Sequence, residues 1–258
     1  MTETPVEAKA FAGKVVVVTG GSRGIGRAIA TGFAAAGADV VIASRKLDNC
    51  SALAAELEAD HGASCHPVAY HAARWADSDR LADEVLERYG RCDVLVNNAG
   101  MSPLHEGVAT ITEQYYDKVL GVNLKGPFRL SARLGAHMAE NGGGAIINVS
   151  TIGSLRPSAH ELVYAMAKAG LNALTIALSG ELAPSVRVNG LLPGAVDTDI
   201  AAAWSPQMRE SAAHGAPLGR LGVPADFVGP ALWLASEQSA FVTGTLIRVD
   251  GGTYRQMS

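Results

Sequence analysis

Apolar residues along the chain alternate between short unbroken runs and longer stretches in which they recur every three or four positions. The run Val15–Thr19 consists of four valines and a threonine, as expected for a strand buried on both faces of a parallel sheet. The stretch 27–36 is rich in alanine and is followed by Gly37, which indicates a helix that stops at a glycine. The same alternation of strand and helix patterns continues along the sequence.

The complete pattern predicts strands separated by helices. The predicted strands are 15–19, 40–43, 65–68, 94–96, 146–149, 186–192 and 246–249, and the predicted helices are 27–36, 48–60, 78–89, 112–140, 164–182 and 225–236. Asp48 is expected to cap the second helix and Gly62 to end it. Repeated β-α-β units imply parallel pairing with right-handed crossovers. We therefore expect an α/β fold with a Rossmann-like, doubly wound, seven-stranded parallel sheet between two helical layers.

The domain organisation follows from the absence of a linker pattern. The glycine-rich stretch 141–144 is short enough to be a turn, so we expect residues 1–258 to form a single domain. The segment 200–220 fits no strand. Because it follows a strand end, where ligands bind in such sheets, we expect a mobile lid over a site, with a surface helix pair as the alternative.

Composition narrows the class of protein. Of 258 residues, 48% are hydrophobic and 18% charged, and the net charge is −4, so a folded chain without a basic nucleic-acid surface is expected. The three cysteines show no C-x-x-C spacing, which favours free thiols in a reducing, cytoplasmic setting, and no metal site is expected. We see neither a signal peptide nor an apolar run long enough to suggest a membrane span.

A glycine-rich turn follows the first predicted strand and reads Thr19-Gly20-Gly21-Ser22-Arg23-Gly24-Ile25-Gly26. Gly20 permits a tight turn, while Gly24 and Gly26 allow a ligand to approach the backbone closely. The helix that follows presents free N–H groups to a pyrophosphate. The spacing G-x-x-x-G-x-G indicates a dinucleotide site, and a turn that binds no ligand is the alternative.

The end of the second predicted strand bears on the choice of dinucleotide. Dinucleotide sites for NAD usually place an acidic residue there, on the ribose 2′-OH. This chain instead has Ser44 and Arg45, with Arg23 in the glycine loop. Two guanidinium groups suit a 2′-phosphate, so we predict NADP(H) as the preferred cofactor, with NAD(H) possible. The alternative is that both arginines are ordinary solvated surface residues.

Tyr164 and Lys168 lie four residues apart in a predicted helix, which places both side chains on one helical face. A neighbouring ammonium group favours the phenolate, so we expect Lys168 to lower the pKa of Tyr164 from about 10. A tyrosine with such a pKa can give or take a proton near neutral pH.

Three motifs in order, together with the chain length, resemble the short-chain dehydrogenase/reductase family in its form of about 250 residues. The motifs are the glycine loop, Asn97-Asn98-Ala99-Gly100 and Tyr164-x-x-x-Lys168, and further matches are Asn123, Pro193-Gly194 and Val249-Asp250-Gly251-Gly252. The resemblance extends from about residue 14 to residue 254. It implies hydride transfer between a nicotinamide cofactor and a carbonyl carbon or its secondary alcohol.

The resemblance also implies roles for individual residues. Tyr164 is similar to the family's general acid/base, and Lys168 to the lysine that holds the nicotinamide ribose. Asn123 resembles an asparagine that keeps a water molecule in a proton relay to Lys168, the alternative being a polar residue that only bends a helix. The implied cofactor contacts are Gly20, Ser22, Arg23, Gly24, Ile25, Gly26, Ser44, Arg45, Asn98, Ala99, Gly100, Tyr164, Lys168, Pro193, Gly194, Val196 and Thr198.

Two positions depart from the family pattern. The family's serine, thirteen residues before the tyrosine, is Thr151 here, and Ser150 precedes it. Threonine also offers a hydroxyl to a substrate oxygen, so we expect Thr151 rather than Ser150 to fill this role, because neighbours on a strand face opposite ways. The family often has an acidic residue after the third strand, in contact with the adenine. This chain has residues 70–72 there and no carboxylate, so we expect His71 or a backbone group to make that contact.

The substrate stays open between a 3-oxoacyl thioester and a sugar or polyol. We expect the substrate pocket to be lined by 101–105, 153–161, Ala195 and 200–215. Candidates for an anionic or polyhydroxy substrate are His105, Arg156, His160 and His214, and candidates for a lipid are Leu155, Trp204 and Met208. The Ala/Leu-rich helix 164–182 has more apolar surface than one core can bury, and the resemblance implies a homotetramer. A non-catalytic NADP(H)-binding sensor is the rival hypothesis, although such proteins lose the tyrosine or the lysine.

Overall fold

The computed structural model describes residues 9–198 and 204–254 of the chain. Its strands are β1 (Val15–Thr19), β2 (Asp39–Ser44), β3 (Cys65–Ala69), β4 (Val94–Asn97), β5 (Gly144–Val149), β6 (Val186–Pro193) and β7 (Leu246–Val249). They form one sheet in the order β3-β2-β1-β4-β5-β6-β7, and all neighbouring pairs are parallel. The predicted Rossmann-like, seven-stranded fold is therefore confirmed.

Helices cover both faces of the sheet. The α-helices are α1 (Gly24–Ala35), α2 (Leu47–His61), α3 (Trp75–Tyr89), α4 (Glu113–Leu120), α5 (Gly126–Glu140), α6 (Leu162–Glu181), α7 (Pro206–Gly215) and α8 (Val228–Ala235). Strand β1 contributes to two apolar cores, one on each face. Val18 packs with Phe33 of α1, whereas Val17 packs with Leu134 of α5. This burial on both faces explains the unbroken apolar run in β1.

The helices α2 and α3 end at glycines, as the sequence indicates, but α2 does not begin at the predicted cap. Gly62 and Gly90 end α2 and α3 in the left-handed conformation, at φ +63° and +68°. The prediction that Asp48 caps α2 was wrong, because the helix begins at Leu47 and its cap position is Lys46. Asp48 lies in the first turn, where its carboxylate faces the positive end of the helix.

The predicted long helix 112–140 is interrupted. A π-helical turn, Gly121–Lys125, separates α4 from α5 and contains the fully buried Asn123. Gly126 packs directly on the segment after β3, where a Cβ would overlap the carbonyl oxygen of Ala72. The wider turn places one extra residue in the helix, as is common at functional sites.

Part of the predicted lid, residues 199–203, lies outside the described residues. The rest of that segment contains α7, which Ser205 caps by accepting a hydrogen bond from Met208 N at 3.2 Å. Among the described residues, the stretch Ala159–Glu181 is long and apolar enough to cross a membrane by length and composition alone. Core helices pass the same test, so this is only a weak sign of a membrane span.

Candidate active site

A crevice of about 450 Å³ opens at the carboxyl edge of the sheet. Its lining comes from segments that follow β1 to β6, at the edge where doubly wound sheets bind ligands. All the predicted catalytic and cofactor residues line this crevice except Gly26 and Asn123, which lie behind it. The sequence-predicted residues therefore come together in one place.

The glycine loop has the shape that a pyrophosphate requires. Gly20 and Gly24 are in the left-handed region, at φ +63° and +53°. A Cβ at Gly26 would overlap the Asn98 amide and the Gly20 carbonyl oxygen, so Gly26 permits close packing rather than ligand contact. Helix α1 begins at Gly24 with no side-chain cap and no acidic residue in its first turn. Its terminal N–H groups therefore suit an anionic dinucleotide.

Two polar side chains hold the glycine loop against the end of β4, which lies beside β1 in the sheet. Asn98 Nδ2 donates to the backbone oxygens of Thr19 and Gly20, at 3.0 and 3.2 Å. Thr19 Oγ1 in turn accepts from the backbone nitrogens of Asn98 and Ala99, both at 3.1 Å. These contacts fix the loop to the end of β4 before any ligand is considered.

Asn97, the neighbour of Asn98, faces into the core instead. Its amide nitrogen donates to Ser131 Oγ and to Asn148 Oδ1, each at 2.9 Å. Buried amides that are satisfied in this way fix the position of adjoining elements. Asn97 therefore joins β4 to β5 and α5.

The end of the crevice next to β2 carries hydroxyl and guanidinium groups. Ser22 Oγ lies 2.9 Å from Ser44 Oγ, which lies 3.0 Å from the buried Cys50 Sγ. Arg23 and Arg45 line the same end, and none of the described lining residues there is a carboxylate. The donors present fit a phosphate group on the ribose.

The segment after β3 contributes Tyr70, His71 and Ala72 to the lining of the crevice, and none of them is acidic. Tyr70 is buried and its hydroxyl lies 3.2 Å from Ser78 Oγ, so it belongs to the core. His71 lines the crevice, and its backbone nitrogen donates to Asp77 Oδ2 at 2.9 Å. His71 Nδ1 is buried and has no hydrogen-bond partner among the described residues, which leaves it able to meet a ligand.

Lys168 is the most deeply buried cation of the crevice, with 3% of its surface exposed. Its Nζ donates to the Val149 carbonyl oxygen at 2.7 Å and lies 5.9 Å from the centroid of the Tyr164 ring. Burial lowers the pKa of Lys168 to about 7, because a desolvated ammonium group is disfavoured. The lysine can therefore change its charge near neutral pH.

The expectation of a lowered pKa for Tyr164 was wrong for this structure. Burial raises the pKa of Tyr164, the Glu161 carboxylate raises it further, and a hydrogen bond with Thr151 opposes both effects. Lys168 does not reverse the shift, because its own charge is weakened by burial. Tyr164 is therefore protonated at neutral pH and suited to donate a proton.

Thr151 and Ser150 face in different directions. Thr151 lines the crevice and hydrogen-bonds to Tyr164, while Gly153 N donates to its Oγ1 at 3.2 Å. Ser150 Oγ donates to the backbone oxygen of Lys168 at 3.2 Å, beneath the crevice. The alternation of side chains after β5 thus turns the threonine hydroxyl toward Tyr164 and the serine hydroxyl away from the crevice.

Asn123 does not touch Lys168 directly. Its Nδ2 donates to the Met101 and Val119 carbonyl oxygens, both at 2.9 Å, and its Oδ1 accepts from Met101 N at 3.2 Å. Gly100 lies between them, since a Cβ there would be 3.1 Å from Asn123 Oδ1 and 3.7 Å from Lys168 Nζ. Asn123 thus holds the chain beside the lysine, and the water relay stays a prediction.

The loop after β6 closes the crevice opposite the glycine loop. The lining residues from it are Pro193, Gly194, Val196 and Thr198. A Cβ at Gly24 would lie 3.6 Å from Thr198 Cγ2, so the two loops approach closely. This places Thr198 over the start of α1.

The substrate end agrees with the sequence-based expectation in part. Of the polar and apolar candidates proposed there, only Trp204 is among the described residues that line the crevice. The expected lining ranges 101–105 and 153–161 contribute Met101, Ser102 and Glu161 to the crevice. Glu161 precedes Tyr164 by three residues at the start of α6, which places both on the same helical face.

Comparison with known proteins identifies the family of this chain. A family model described as enoyl-(acyl carrier protein) reductase matches residues 20–254. L-rhamnose 1-dehydrogenase (NAD(P)(+)) of Azotobacter vinelandii is 40% identical, over 93% of this chain and 96% of its own length. The 3-oxoacyl-(acyl-carrier-protein) reductase FabG of Thermotoga maritima is 34% identical, over 93% of this chain and 97% of its own.

A solved structure gives the same result. L-sorbose reductase from Gluconobacter frateurii, complexed with NADPH and L-sorbose, superposes with a TM-score of 0.90 at 29% identity and covers 97% of this chain and 100% of its own. The chain belongs to the short-chain dehydrogenase/reductase family. It is thus an oxidoreductase of a family that uses NAD(P)(H) and acts on CH–OH or carbonyl groups. No finding supports a non-catalytic sensor.

Proposed function

We propose that this protein is an NADP(H)-preferring reductase that interconverts a carbonyl group and a secondary alcohol. The observation that carries the proposal is the grouping of Tyr164, Thr151 and Lys168 within one crevice that also contains a glycine loop. The glycine loop, Asn98 and the loop of Thr198 would hold a dinucleotide, which would supply or accept the hydride.

The residues of the chain control the proton and the position of the substrate. Thr151 directs its hydroxyl at the oxygen atom of the substrate. Tyr164, protonated at neutral pH, donates its proton to that oxygen in reduction and takes it back in oxidation. Lys168 lies one helical turn away, and its positive charge stabilises the phenolate that remains after Tyr164 has donated its proton.

The cofactor preference rests on the end of the crevice next to β2. Its serine hydroxyls and arginines offer charge-assisted hydrogen bonds to a 2′-phosphate, and the described lining there lacks the carboxylate that would repel it. NAD(H) stays possible, because the glycine loop holds the pyrophosphate of either dinucleotide.

The proposal also includes the oligomeric state of the protein. Phe128 of α5 and Met166 and Ile176 of α6 are large apolar side chains with 43–54% of their surface exposed. Such an apolar face suits a subunit interface, so we propose a homotetramer. We also propose a single cytoplasmic domain, with the segment 200–220 acting as a lid.

The test is turnover of a panel of ketones and secondary alcohols with NADPH and with NADH. Tyr164→Phe should lower kcat/KM by about 10³-fold while leaving the dissociation constant for NADPH nearly unchanged. A variant that keeps most of its activity would refute the assigned chemistry. A clear kinetic preference of the wild type for NADH would refute only the cofactor assignment.

A further inference from the structure

The substrate end of the crevice contains a carboxylate that the proposed proton transfer does not use. Glu161 lies one turn ahead of Tyr164, is half-buried and accepts a hydrogen bond from Ser102 Oγ at 3.3 Å. A Cβ at Gly153 would lie 3.5 Å from Glu161 Oε2 and 3.5 Å from Thr151 Oγ1, so these two oxygens flank the same point. Glu161 therefore stands beside the hydroxyl that positions the substrate.

The charge of this carboxylate sets the character of the substrate end. Among the described lining residues, Arg23, Arg45 and Lys46 come from the segments after β1 and β2, and Lys168 donates a hydrogen bond to the Val149 carbonyl oxygen. The hydrogen bond from Ser102 leaves most acceptor positions of Glu161 unfilled within the described chain. An unpaired carboxylate next to the reacting site favours ligands that bring hydroxyl donors.

Other classes of substrate interact less favourably with the Glu161 carboxylate. An apolar acyl chain would remove water from the carboxylate without replacing its hydrogen bonds, which is unfavourable. A 2-oxo acid would bring a second negative charge close to it. This inference rests on the proposed function. We propose that Glu161 selects uncharged, polyhydroxylated substrates of the sugar or polyol class by accepting a hydrogen bond from a hydroxyl near the reacting carbon.

Glu161 has a second effect, on the proton donor. Three polar groups face Tyr164: the Lys168 ammonium, the Thr151 hydroxyl and the Glu161 carboxylate. After burial, the negative charge of Glu161 is the main influence that raises the pKa of Tyr164. Removing that charge should let the phenolate form at lower pH, and alcohol oxidation, which needs the phenolate, should shift in the same direction.

The experiment compares hydroxylated and plain substrates of equal length. Wild type, Glu161→Gln and Glu161→Leu are assayed on a panel of 2-ketohexoses and on 2-hexanone, and on the matching polyols and 2-hexanol in the reverse direction. Glu181→Gln, at the exposed far end of α6, is the matched control. Glu161→Gln should lower kcat/KM on the hydroxylated substrates about 5- to 10-fold, and Glu161→Leu about 10- to 100-fold, with 2-hexanone unchanged or improved.

The pH profile provides an independent readout. In Glu161→Gln, kcat/KM for alcohol oxidation should reach half of its maximum at a lower pH than in the wild type or in Glu181→Gln. Equal losses on both substrate types, or an unmoved profile, would overturn the role of Glu161. Wild-type preference for 2-hexanone would also overturn it, whereas failure to reduce any carbonyl compound would refute the proposed function itself.

Discussion

The two edges of the sheet each hold a buried ionisable group, and the chain surrounds them differently. At the amino edge, Asp93 precedes β4 and accepts hydrogen bonds from Arg91 Nε and Val15 N, both at 2.9 Å. At the carboxyl edge, Lys168 donates to one carbonyl oxygen, that of Val149. Asp93 thus has several donors, whereas Lys168 has no carboxylate partner among the described residues.

The pKa directions follow from this difference. Burial raises the pKa of Asp93, but the hydrogen bonds from Arg91, Val15 and Lys14 outweigh it and hold the pKa below its usual value. Burial of Lys168 meets no such opposition and brings its pKa to about 7. A fully paired charge supports the fold, while a poorly paired charge stays adjustable and suits a reaction.

The largest expected effect is at the poorly paired group. Lys168→Met should lower kcat/KM by about 10³-fold or more, because the phenolate of Tyr164 loses its neighbouring cation. Its melting temperature should equal or exceed that of the wild type, since a buried charge has been removed. Steady-state kinetics and thermal unfolding measure the two effects. Lys118→Met, on the exposed face of α4, is the control, and a marked fall in stability of Lys168→Met would break the comparison.

A smaller effect on turnover is expected from the two hydroxyls after β5. Thr151→Ala should lower kcat/KM about 10²-fold, because its hydroxyl meets Tyr164 in the crevice. Ser150→Ala should change it by less than about 5-fold and should act mainly on stability, because its hydrogen bond goes to the Lys168 backbone. Parallel kinetic measurement of both variants tests this, and the reverse order would reassign the role.

At the amino edge the expected change is in stability alone. Asp93→Ala should reduce the free energy of unfolding by about 2–3 kcal/mol, because the buried Val15 N–H and the Arg91 guanidinium lose their acceptor. Its kcat should match that of the wild type. The control is Asp83→Ala, which breaks an exposed ion pair with Arg133 and should cost less than about 1 kcal/mol.

The pH dependence sharpens the Asp93 prediction. The folded pKa of Asp93 lies below its unfolded value of 3.8, so its contribution is complete above that value and is lost as pH falls through the folded pKa. Chemical denaturation of wild type and Asp93→Ala at several pH values should therefore converge in acid. A difference that stays constant down to about pH 2 would show that the carboxylate charge is not involved.

Most of the fold could be predicted from the sequence because the strands of a parallel sheet are buried on both faces. Unbroken apolar runs such as the four valines of β1 have few other structural interpretations. Glycines at helix ends, including Gly62, carried similar information because their left-handed conformation excludes most other residues. The start of α2 was harder to predict, since Asp48 suits a cap and a first turn equally well.

The candidate site residues could be predicted where the type of side chain alone indicates a chemical role. Properties that depend on the folded surroundings, such as a pKa, were harder to predict. The sequence indicates the pair Tyr164 and Lys168, but the direction of the tyrosine pKa depends on burial and on Glu161, which no spacing rule weighs. The choice of Thr151 over Ser150 remains a prediction that the described contacts favour. The proposed water relay through Asn123 is likewise untested.

The π-helical turn Gly121–Lys125 should make the chain intolerant of length changes at the junction of α4 and α5. Deleting one residue there would restore a regular α-helix, but it would rotate the preceding turns by about 100° about the axis relative to α5. The segment before Gly121 would then no longer face the chain at Met101. Natural variation here should therefore consist of substitutions rather than insertions or deletions.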